Sequence, residues 1–378
     1  GTPIAPFGSV TLASGLRVTS LGGTIVTFDA PGFAVGETLS DSFVYQLADG
    51  NGGFDTATVT VENFEVIDTG FADDLGAVNG GTLLNGFGGP AGFGTYGLDP
   101  NDDGSTPPLE LTALLPGGID FFGQRQETVF INNNGNVTFG GPLSQFTPTE
   151  ITAGSTAGLF PFFADVDTRG GPTTASPGGN STGSNRVWWH ADPINGVVVV
   201  TWDDVGFFSS DTSRVNAFQL IARDASGDPG RDPGDFDFAF NYEAVNWVTG
   251  DASGGSGGLG GQVARAGWTG GNGTEFFELP QSGDQTAMLA LDTTPGNTGD
   301  IGLWAWEVRN GSIPASISIV SPGRIAEGDA GETTEFDFRV VRTGSQGGVV
   351  TVTYVIEGAT GAPANADDVV GNFADYSG

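Results

Sequence analysis

Short runs of alternating apolar and polar residues, separated by glycine, asparagine, aspartate and proline, extend along the whole chain. In residues 129–139 (VFINNNGNVTF), apolar side chains recur at every second position on each side of an Asn-Gly turn. A period of two predicts β-strands, and Asn-Gly supplies the positive φ angles of a tight hairpin. No period of 3.6 residues is sustained, so the pattern predicts an all-β fold.

A hairpin is predicted near the beginning of the chain. Residues 41–61 contain two alternating runs on either side of DGNGG at 49–53. This stretch resembles the final hairpin of the cadherin-like repeats that large bacterial adhesins carry in tandem. The resemblance implies a complete or partial cadherin-like β-sandwich over residues 1–64. The glycine-rich residues 65–94 are weakly patterned and are predicted to form a linker.

A larger β domain is predicted over residues 95–313. After the NNNGNVTF hairpin, its motifs in chain order are FPFFADVDTR (160–169), VVVVTWDDV (197–205), NAFQLI (216–221), DFDFAFNYEAVNW (235–247) and ARAGW (264–268). This series resembles the nidogen-like domain, although Phe163 stands where that family usually has tryptophan. The resemblance implies an extracellular module associated with adhesion and matrix contact, for which no catalytic residue is established.

A third block is predicted over residues 314–378. Its strand-like runs are ASISIVS (315–321), TEFDFRVVR (334–342) and GVVTVTYVIE (348–357). The block resembles a Calx-β domain, a calcium-binding immunoglobulin-like sandwich, whose later strands are not within the chain. The resemblance implies calcium ligands at Glu327, Glu357 and Asp375. The predicted fold class is therefore a series of β-sandwiches that flank a larger nidogen-like β domain.

Composition narrows the chemistry that this framework can support. The chain has 45 Asp and Glu, 12 Arg, no Lys, no Cys and one His, with a formal net charge of -33 and a sequence pI of about 4.1. These counts exclude a thiol nucleophile, lysine chemistry and a zinc site of the usual kind. The negative charge opposes binding to nucleic acid or to an anionic membrane, and no apolar stretch is long enough to cross a membrane. Carboxylate and amide oxygens remain abundant, and they are the ligands that Ca²⁺ prefers.

The first candidate calcium site lies before the predicted hairpin of the large domain. Asp99, Asn101, Asp103 and Glu110 fit the spacing of an EF-hand loop, D-x-[DN]-x-[DN]-G-x₅-E. A Pro-Pro pair within the segment and the absence of predicted flanking helices argue against a true EF-hand. Two alternatives remain, namely an acidic calcium loop in a β context and a loop stabilised by Asx turns.

The second candidate site is the ADVDTR motif. Asp165, Asp167 and Arg169 occur at strand spacing and are predicted to share one face. Two carboxylates and one guanidinium there would either coordinate a cation or form a ladder of ion pairs.

The leading functional hypothesis is a calcium-stabilised structural or adhesive segment of a large bacterial surface or matrix protein, located outside the cell. Its predicted partners are other copies of itself or neighbouring modules of the same chain, together with extracellular glycans or matrix proteins, but not nucleic acid. A self-assembling fibre subunit completed by strand exchange is one alternative, and a carbohydrate- or peptide-binding module is another. Enzyme activity is not expected, because no G-x-S-x-G elbow and no glutamate isolated among apolar residues is found. The chain begins without Met and ends in the middle of a pattern, so we expect an excerpt or a processed form of a longer exported protein.

Overall fold

Strands are the dominant regular secondary structure in the described parts of the chain. The computed structural model describes residues 9–20, 26–29, 38–48, 54–65, 81–228, 230–298, 300–313, 316–320, 339–343 and 355–357. Within these residues, the only α-helices are two single turns, α1 (Leu111–Leu114) and α2 (Gln285–Met288). The all-β fold predicted from the alternating pattern is confirmed.

The strands are β1 (Ser9–Thr11), β2 (Arg17–Ser20), β3 (Val26–Asp29), β4 (Thr38–Ala48), β5 (Phe54–Glu65), β6 (Tyr96–Gly97), β7 (Leu109–Glu110), β8 (Ile119–Phe121), β9 (Gln124–Gln126), β10 (Thr128–Asn132), β11 (Asn136–Phe139), β12 (Gly158–Phe163), β13 (Arg186–Asp192), β14 (Val197–Phe207), β15 (Asp211–Asp224), β16 (Phe236–Ala244), β17 (Gly255–Ser256), β18 (Leu259–Gly260), β19 (Arg265–Thr269), β20 (Phe276–Glu278), β21 (Leu303–Val308), β22 (Ser316–Val320), β23 (Arg339–Thr343) and β24 (Val355–Glu357).

The chain forms two compact units, of which the first combines strands from both ends of the sequence. Strands β4 and β5 form the predicted antiparallel hairpin, with Ala48 opposite Phe54; its turn lies outside the described residues. Strand β24 pairs with β5 on the other side, so that Ile356 lies opposite Ala57. Strands from the two predicted terminal domains thus share one sheet, because β24 adds to the edge of the hairpin. The cadherin-like and Calx-β identities of these regions stay predictions.

The second unit is a sandwich of two six-stranded antiparallel sheets. Sheet I has the order β20-β19-β12-β11-β10-β7, and sheet II has the order β21-β16-β15-β14-β13-β6. Apolar side chains of both sheets fill the space between them, as Ile131 and Val137 of sheet I and Val200 and Leu220 of sheet II illustrate. Alternation places these side chains on the inner faces, and their burial is the main stabilising contribution to the unit.

Aromatic residues dominate this core. Trp202 stacks on Phe218 with ring centroids 4.9 Å apart, and Trp247 meets Phe162 edge to face at 5.7 Å. The buried tryptophans are Trp188, Trp202, Trp247, Trp268, Trp304 and Trp306. Six of the seven tryptophans therefore pack inside the domain, and they do not line a sugar-binding groove.

Residues 81–94 cover the outer face of sheet II. Leu84 packs against apolar side chains of β14, β15 and β21, while Leu83 and Phe93 pack in a neighbouring cluster with Trp188. Gln219 of β15 fixes this segment, since its amide accepts a hydrogen bond from the Leu84 N–H and donates one to the Leu84 carbonyl, both at 2.8 Å. Sequence analysis placed these residues in a linker, but they bury apolar surface and belong to the packed unit.

Candidate functional site

Three carboxylates from two separate segments converge beside the β10–β11 hairpin. Asp102 and Asp103 lie in the loop that follows β6, and Asp165 lies just beyond the end of β12. One oxygen of each carboxylate lies within 4.8 Å of the others. Asp165 is only 1% exposed, and the other two are half-buried. Within the described residues, this is the one group of three or more His, Cys, Asp or Glu side chains with metal-binding spacing.

The asparagine-rich turn of the hairpin holds the two segments together. The Asn133 amide donates hydrogen bonds to the carbonyl oxygens of Asp102 and Val166, each at 2.5 Å. Asn134 accepts a hydrogen bond from the Val166 N–H at 2.9 Å and donates one to Asp103 Oδ1 at 2.8 Å. Both asparagines are buried, and amide side chains can satisfy backbone donors and acceptors at once. The NNNGN sequence thus positions the acidic cluster.

The cluster is electrostatically unfavourable when all three carboxylates are charged. Neither oxygen of Asp165 has a hydrogen-bond partner, and Asp102 Oδ1 has none either. Burial, followed by repulsion from Asp102, Asp103 and Asp167, raises the pKa of Asp165 to about 7. Burial and the neighbouring aspartates likewise raise the pKa of Asp102 to about 6. Buried polar groups are normally hydrogen-bonded, so these oxygens lack the partners that their burial demands.

Asp167 has a different environment. Its carboxylate accepts hydrogen bonds from Arg169 Nε at 2.8 Å, from the Arg169 terminal nitrogen at 2.5 Å and from the Ser210 N–H at 2.7 Å. Burial raises its pKa, but these hydrogen bonds outweigh burial and bring the pKa below the usual value. Arg169 also contacts Asp102 Oδ2 at 2.9 Å. Asp167 is therefore a partner of Arg169, and its oxygens are already occupied.

Two members of the cluster, Asp103 and Asp165, are predicted from the sequence motifs, and the third, Asp102, is not. Asp103 and Asp165 were predicted as metal ligands in separate sites, and the structure brings them together. Asp102 was left out because it falls on a non-ligand position of the EF-hand spacing. The available signal was the Asp-Asp-Gly sequence itself, in which either carboxylate could turn inward.

The EF-hand arrangement is not present in the loop. The Asp99 side chain is fully exposed and approaches Arg186 at 3.3 Å. Asn101 Oδ1 accepts a hydrogen bond from the Gly104 N–H at 2.7 Å, as in an Asx turn. Glu110 belongs to β7, opposite Thr128 of β10, and is exposed. Among the described residues, Asp99 and Glu110 belong to no group of converging acidic side chains, because Asp99 approaches Arg186 and Glu110 lies on β7.

The expectation that Asp165, Asp167 and Arg169 share one face of a strand is also wrong. Strand β12 ends at Phe163, and Thr168–Gly170 form a turn of 3₁₀-helix. The alternation of side chains stops there, so Asp165 enters the cluster while Arg169 folds back onto Asp167. Of the C-terminal candidates, Glu327 and Asp375 lie outside the described residues. Glu357 is the last residue of β24, and its side chain is not described.

The cluster is suited to binding a hard divalent cation. Aspartate oxygens are ligands for Ca²⁺ and Mg²⁺, and a cation would supply the missing partners of Asp165 and Asp102. The site contains no cysteine or histidine, which disfavours zinc and copper. A cation here would connect the loop after β6 to the end of β12.

Known proteins resemble this part of the chain. Residues 127–310 match the family model described as "Nidogen-like domain". Alpha-tectorin of Mus musculus is 36% identical over 239 residues, which cover 59% of this chain and 10% of that protein. Alpha-tectorin of Gallus gallus is 35% identical over 236 residues, which are 58% of this chain and 10% of the relative. Nidogen of Drosophila melanogaster is 29% identical over 235 residues, which are 57% of this chain and 16% of the relative.

The family model falls on the two-sheet sandwich. The matched segments account for only a small part of each relative. No solved structure matches the chain significantly. The motif order of the sequence, the all-β sandwich and the family model agree with one another. Residues 127–310 therefore resemble a nidogen-like domain.

Proposed function

We propose that this chain is part of an extracellular structural or adhesive protein, with the nidogen-like domain as its central module. The observations that carry the proposal are the match of residues 127–310 to the nidogen-like family model and the similarity of the chain to segments of alpha-tectorin and nidogen. The construction of the domain supports it, because most of the aromatic residues described in the two-sheet sandwich are buried in packing. None of the described helices is long and apolar enough to cross a membrane. The proposed function is mechanical and adhesive, without turnover, and the partners are other matrix or surface modules.

Calcium is the stabilising ion of this proposal. A formal net charge of -33 opposes compact folding, and cations bound only by the folded state would offset that repulsion. The carboxylate cluster and the ligands implied for the C-terminal region are the sites that support this part. A bacterial surface protein is the proposed source, on the resemblance of residues 41–61 to adhesin repeats.

Adhesion is tested with the purified chain immobilised on beads. We expect extracellular matrix or intact cells to retain the beads at about 2 mM calcium, a concentration at which extracellular calcium-binding modules bind the ion. Beads that carry an unrelated acidic β-sandwich of similar net charge serve as the control. Retention equal to that of the control beads would count against the adhesive function.

Calcium dependence is tested by thermal unfolding. We expect a lower melting temperature in excess EDTA than in calcium at the same moderate sodium chloride concentration. A magnesium arm separates specific binding from general screening, because Mg²⁺ demands a stricter geometry. An identical melting temperature in all three solutions rejects stabilisation by calcium.

A second candidate function is a self-assembling fibre subunit. The favouring observation is that β24 completes the sheet of the β4–β5 hairpin from almost 300 residues further along the chain. A strand that reaches its sheet across such a sequence separation could also reach the sheet of a second copy. Electron microscopy of the purified chain at high calcium distinguishes the two, since fibres support this candidate and monodisperse particles remove it.

A further inference from the structure

We infer that Asp102, Asp103 and Asp165 together bind a single Ca²⁺ ion, which fastens the loop after β6 to the end of β12. The inference rests on the calcium dependence proposed above and names the site responsible within the nidogen-like domain. It concerns three residues that no single sequence motif unites.

The strongest observation is the state of Asp165. The residue is 1% exposed, and both of its carboxylate oxygens lack a hydrogen-bond partner. A buried carboxylate without donors is costly, and proteins normally provide donors or a metal ion. One oxygen of Asp165 lies within 4.8 Å of an oxygen of Asp102 and of an oxygen of Asp103. A divalent cation satisfies all of them at once.

The surrounding contacts select which oxygens remain for the cation. Asp103 Oδ1 is held by the Asn134 amide, and Asp102 Oδ2 is held by Arg169. Asp102 Oδ1 is buried and has no hydrogen-bond partner. These two side chains are therefore oriented by one oxygen while the other is available. Such support by neighbouring hydrogen bonds is common for metal-ligating carboxylates.

The wall of the site next to Asp165 is backbone. A Cβ added at Gly250 would lie 2.4 Å from Asp165 Oδ2, so only glycine permits this approach. The close contact excludes bulk water from one side of the carboxylate. Water molecules on the open side, next to the half-exposed Asp102 and Asp103, would complete the six to eight oxygens that Ca²⁺ takes.

A tryptophan near the cluster offers a direct readout. Trp202 Nε1 donates a hydrogen bond to the Asn133 carbonyl at 3.0 Å, and Asn133 holds the Asp102 carbonyl. Tb³⁺ replaces Ca²⁺ at oxygen sites and luminesces when a nearby indole is excited. We expect the full chain to sensitise Tb³⁺ luminescence and Ca²⁺ to displace the Tb³⁺.

The decisive variant is Asp165→Asn, compared with Asp99→Asn and Glu110→Gln. The first removes the buried charge, while the two controls remove carboxylates that the EF-hand spacing would use and the structure does not. We expect Asp165→Asn to weaken the Tb³⁺ signal and the calorimetric Ca²⁺ affinity of this site at least tenfold. Both controls should stay within twofold of the unmodified chain. Loss of binding in the controls, with binding retained in Asp165→Asn, overturns the inference.

A folding readout separates ligand loss from structural damage. In EDTA, Asp165→Asn should melt at the same temperature as the unmodified chain or above it, because it removes an uncompensated buried charge. The increase in melting temperature on adding calcium should be smaller for the variant than for the unmodified chain. A large drop in EDTA would show a purely structural role for Asp165 and would overturn the inference.

The outcomes also distinguish this inference from the proposed function. If calcium stabilises the unmodified chain and Asp165→Asn equally, the proposed calcium dependence stands and the site named here is wrong. If Asp165→Asn abolishes Tb³⁺ binding but calcium does not stabilise the unmodified chain, the site stands and the proposed stabilising role of calcium fails.

Discussion

Gly135 occupies a position where any side chain would collide with the neighbouring strand. Its φ angle is +71°, and an added Cβ would lie 1.8 Å from the Phe162 carbonyl oxygen. The same residue ends the asparagine turn that holds Asp102 and Val166 in place. A single glycine thus determines how closely the β10–β11 hairpin approaches the segment that carries Asp165.

We expect Gly135→Ala to lower the free energy of unfolding by more than about 2 kcal/mol, because it adds a steric clash to the backbone penalty. Gly140→Ala is the matched control, since Gly140 has a similar φ of +77° but nothing within 4 Å of an added Cβ. The control should cost about 1 kcal/mol. Urea denaturation measures both values, and equal losses would show that the close approach to Phe162 does not matter.

Arg231 is a second residue on which a buried network depends. Its side chain is 4% exposed and contacts Asp237 at 3.1 Å and Glu307 at 2.8 Å, both of which are almost fully buried. Burial raises the pKa of Glu307 to about 7 in spite of Arg231 and Arg309 nearby. Arg231 bridges the two carboxylates, while Arg223 also pairs with Asp237 and Arg309 with Glu307, and this positive charge offsets the burial of both acids.

We expect Arg231→Met to cost about 3–5 kcal/mol of unfolding free energy, because it leaves buried carboxylates with too little positive charge. Arg125→Met is the control, since Arg125 is exposed and makes a hydrogen bond to a backbone carbonyl; it should change the value by less than about 1 kcal/mol. Adding Glu307→Gln to Arg231→Met should recover part of the loss. A double variant no more stable than the single one would contradict this account of the pair.

At the scale of elements, alternation and turn residues predicted the strands of the sandwich well. The hairpin around Asn134 and Gly135 could be predicted because an Asn-Gly turn lies between two alternating runs. The carboxylate cluster was only partly readable, since spacing does not reveal that β12 ends at Phe163 or that Arg169 turns back onto Asp167. Spacing also cannot show that a loop 60 residues earlier reaches the same point.

The segment 81–94 shows the opposite difficulty. Its high glycine content is typical of a linker, but a few apolar side chains between the glycines pack on sheet II. Glycine allows the segment to follow the sheet surface closely, because all six of its glycines have positive φ angles, which other residues rarely adopt. The segment is an integral layer of the domain.

We expect Phe93→Ala to lower the free energy of unfolding of the two-sheet sandwich by about 3–5 kcal/mol, because the ring is fully buried against sheet II. Phe146→Ala is the control, since that ring is 38% exposed, and it should cost much less. Chemical denaturation followed by tryptophan fluorescence measures both. If Phe93→Ala lowers the free energy of unfolding no more than the control does, residues 81–94 act as a linker and not as part of the packed unit.

At the scale of the whole molecule, titration of the buried carboxylates shapes stability. The pKa values of Asp102, Asp165 and Glu307 are raised to about 6, 7 and 7, from usual values of 3.8, 3.8 and 4.5. Between the usual and the raised value, the unfolded chain binds fewer protons than the folded chain, so stability falls as pH rises. The pKa of Asp167 is lowered, so its contribution is lost only as pH falls below its usual value.

In EDTA we therefore expect the melting temperature to be highest near pH 4–5 and to fall as pH rises toward about 7. Calcium should reduce the fall by binding the deprotonated cluster. Asp165→Asn should make the EDTA profile shallower, and Glu307→Gln should do so independently because it lies in a separate network. Differential scanning calorimetry across pH 4–8 checks the sign, and a melting temperature that rises steadily with pH would contradict it.

Strand β21 lies at one edge of sheet II, and β6 lies at the other. The backbone at Gly81 runs beside the carbonyls of Tyr242 and Ile301 at the β16–β21 edge, and the chain leaves the domain shortly after β21. A pulling force applied between Gly81 and Val308 would consequently act from one end of β21 to the other and would load its hydrogen bonds with β16 in shear. The acidic loop follows β6 at the opposite edge of sheet II, so it would lie outside the pair of strands that carries the load.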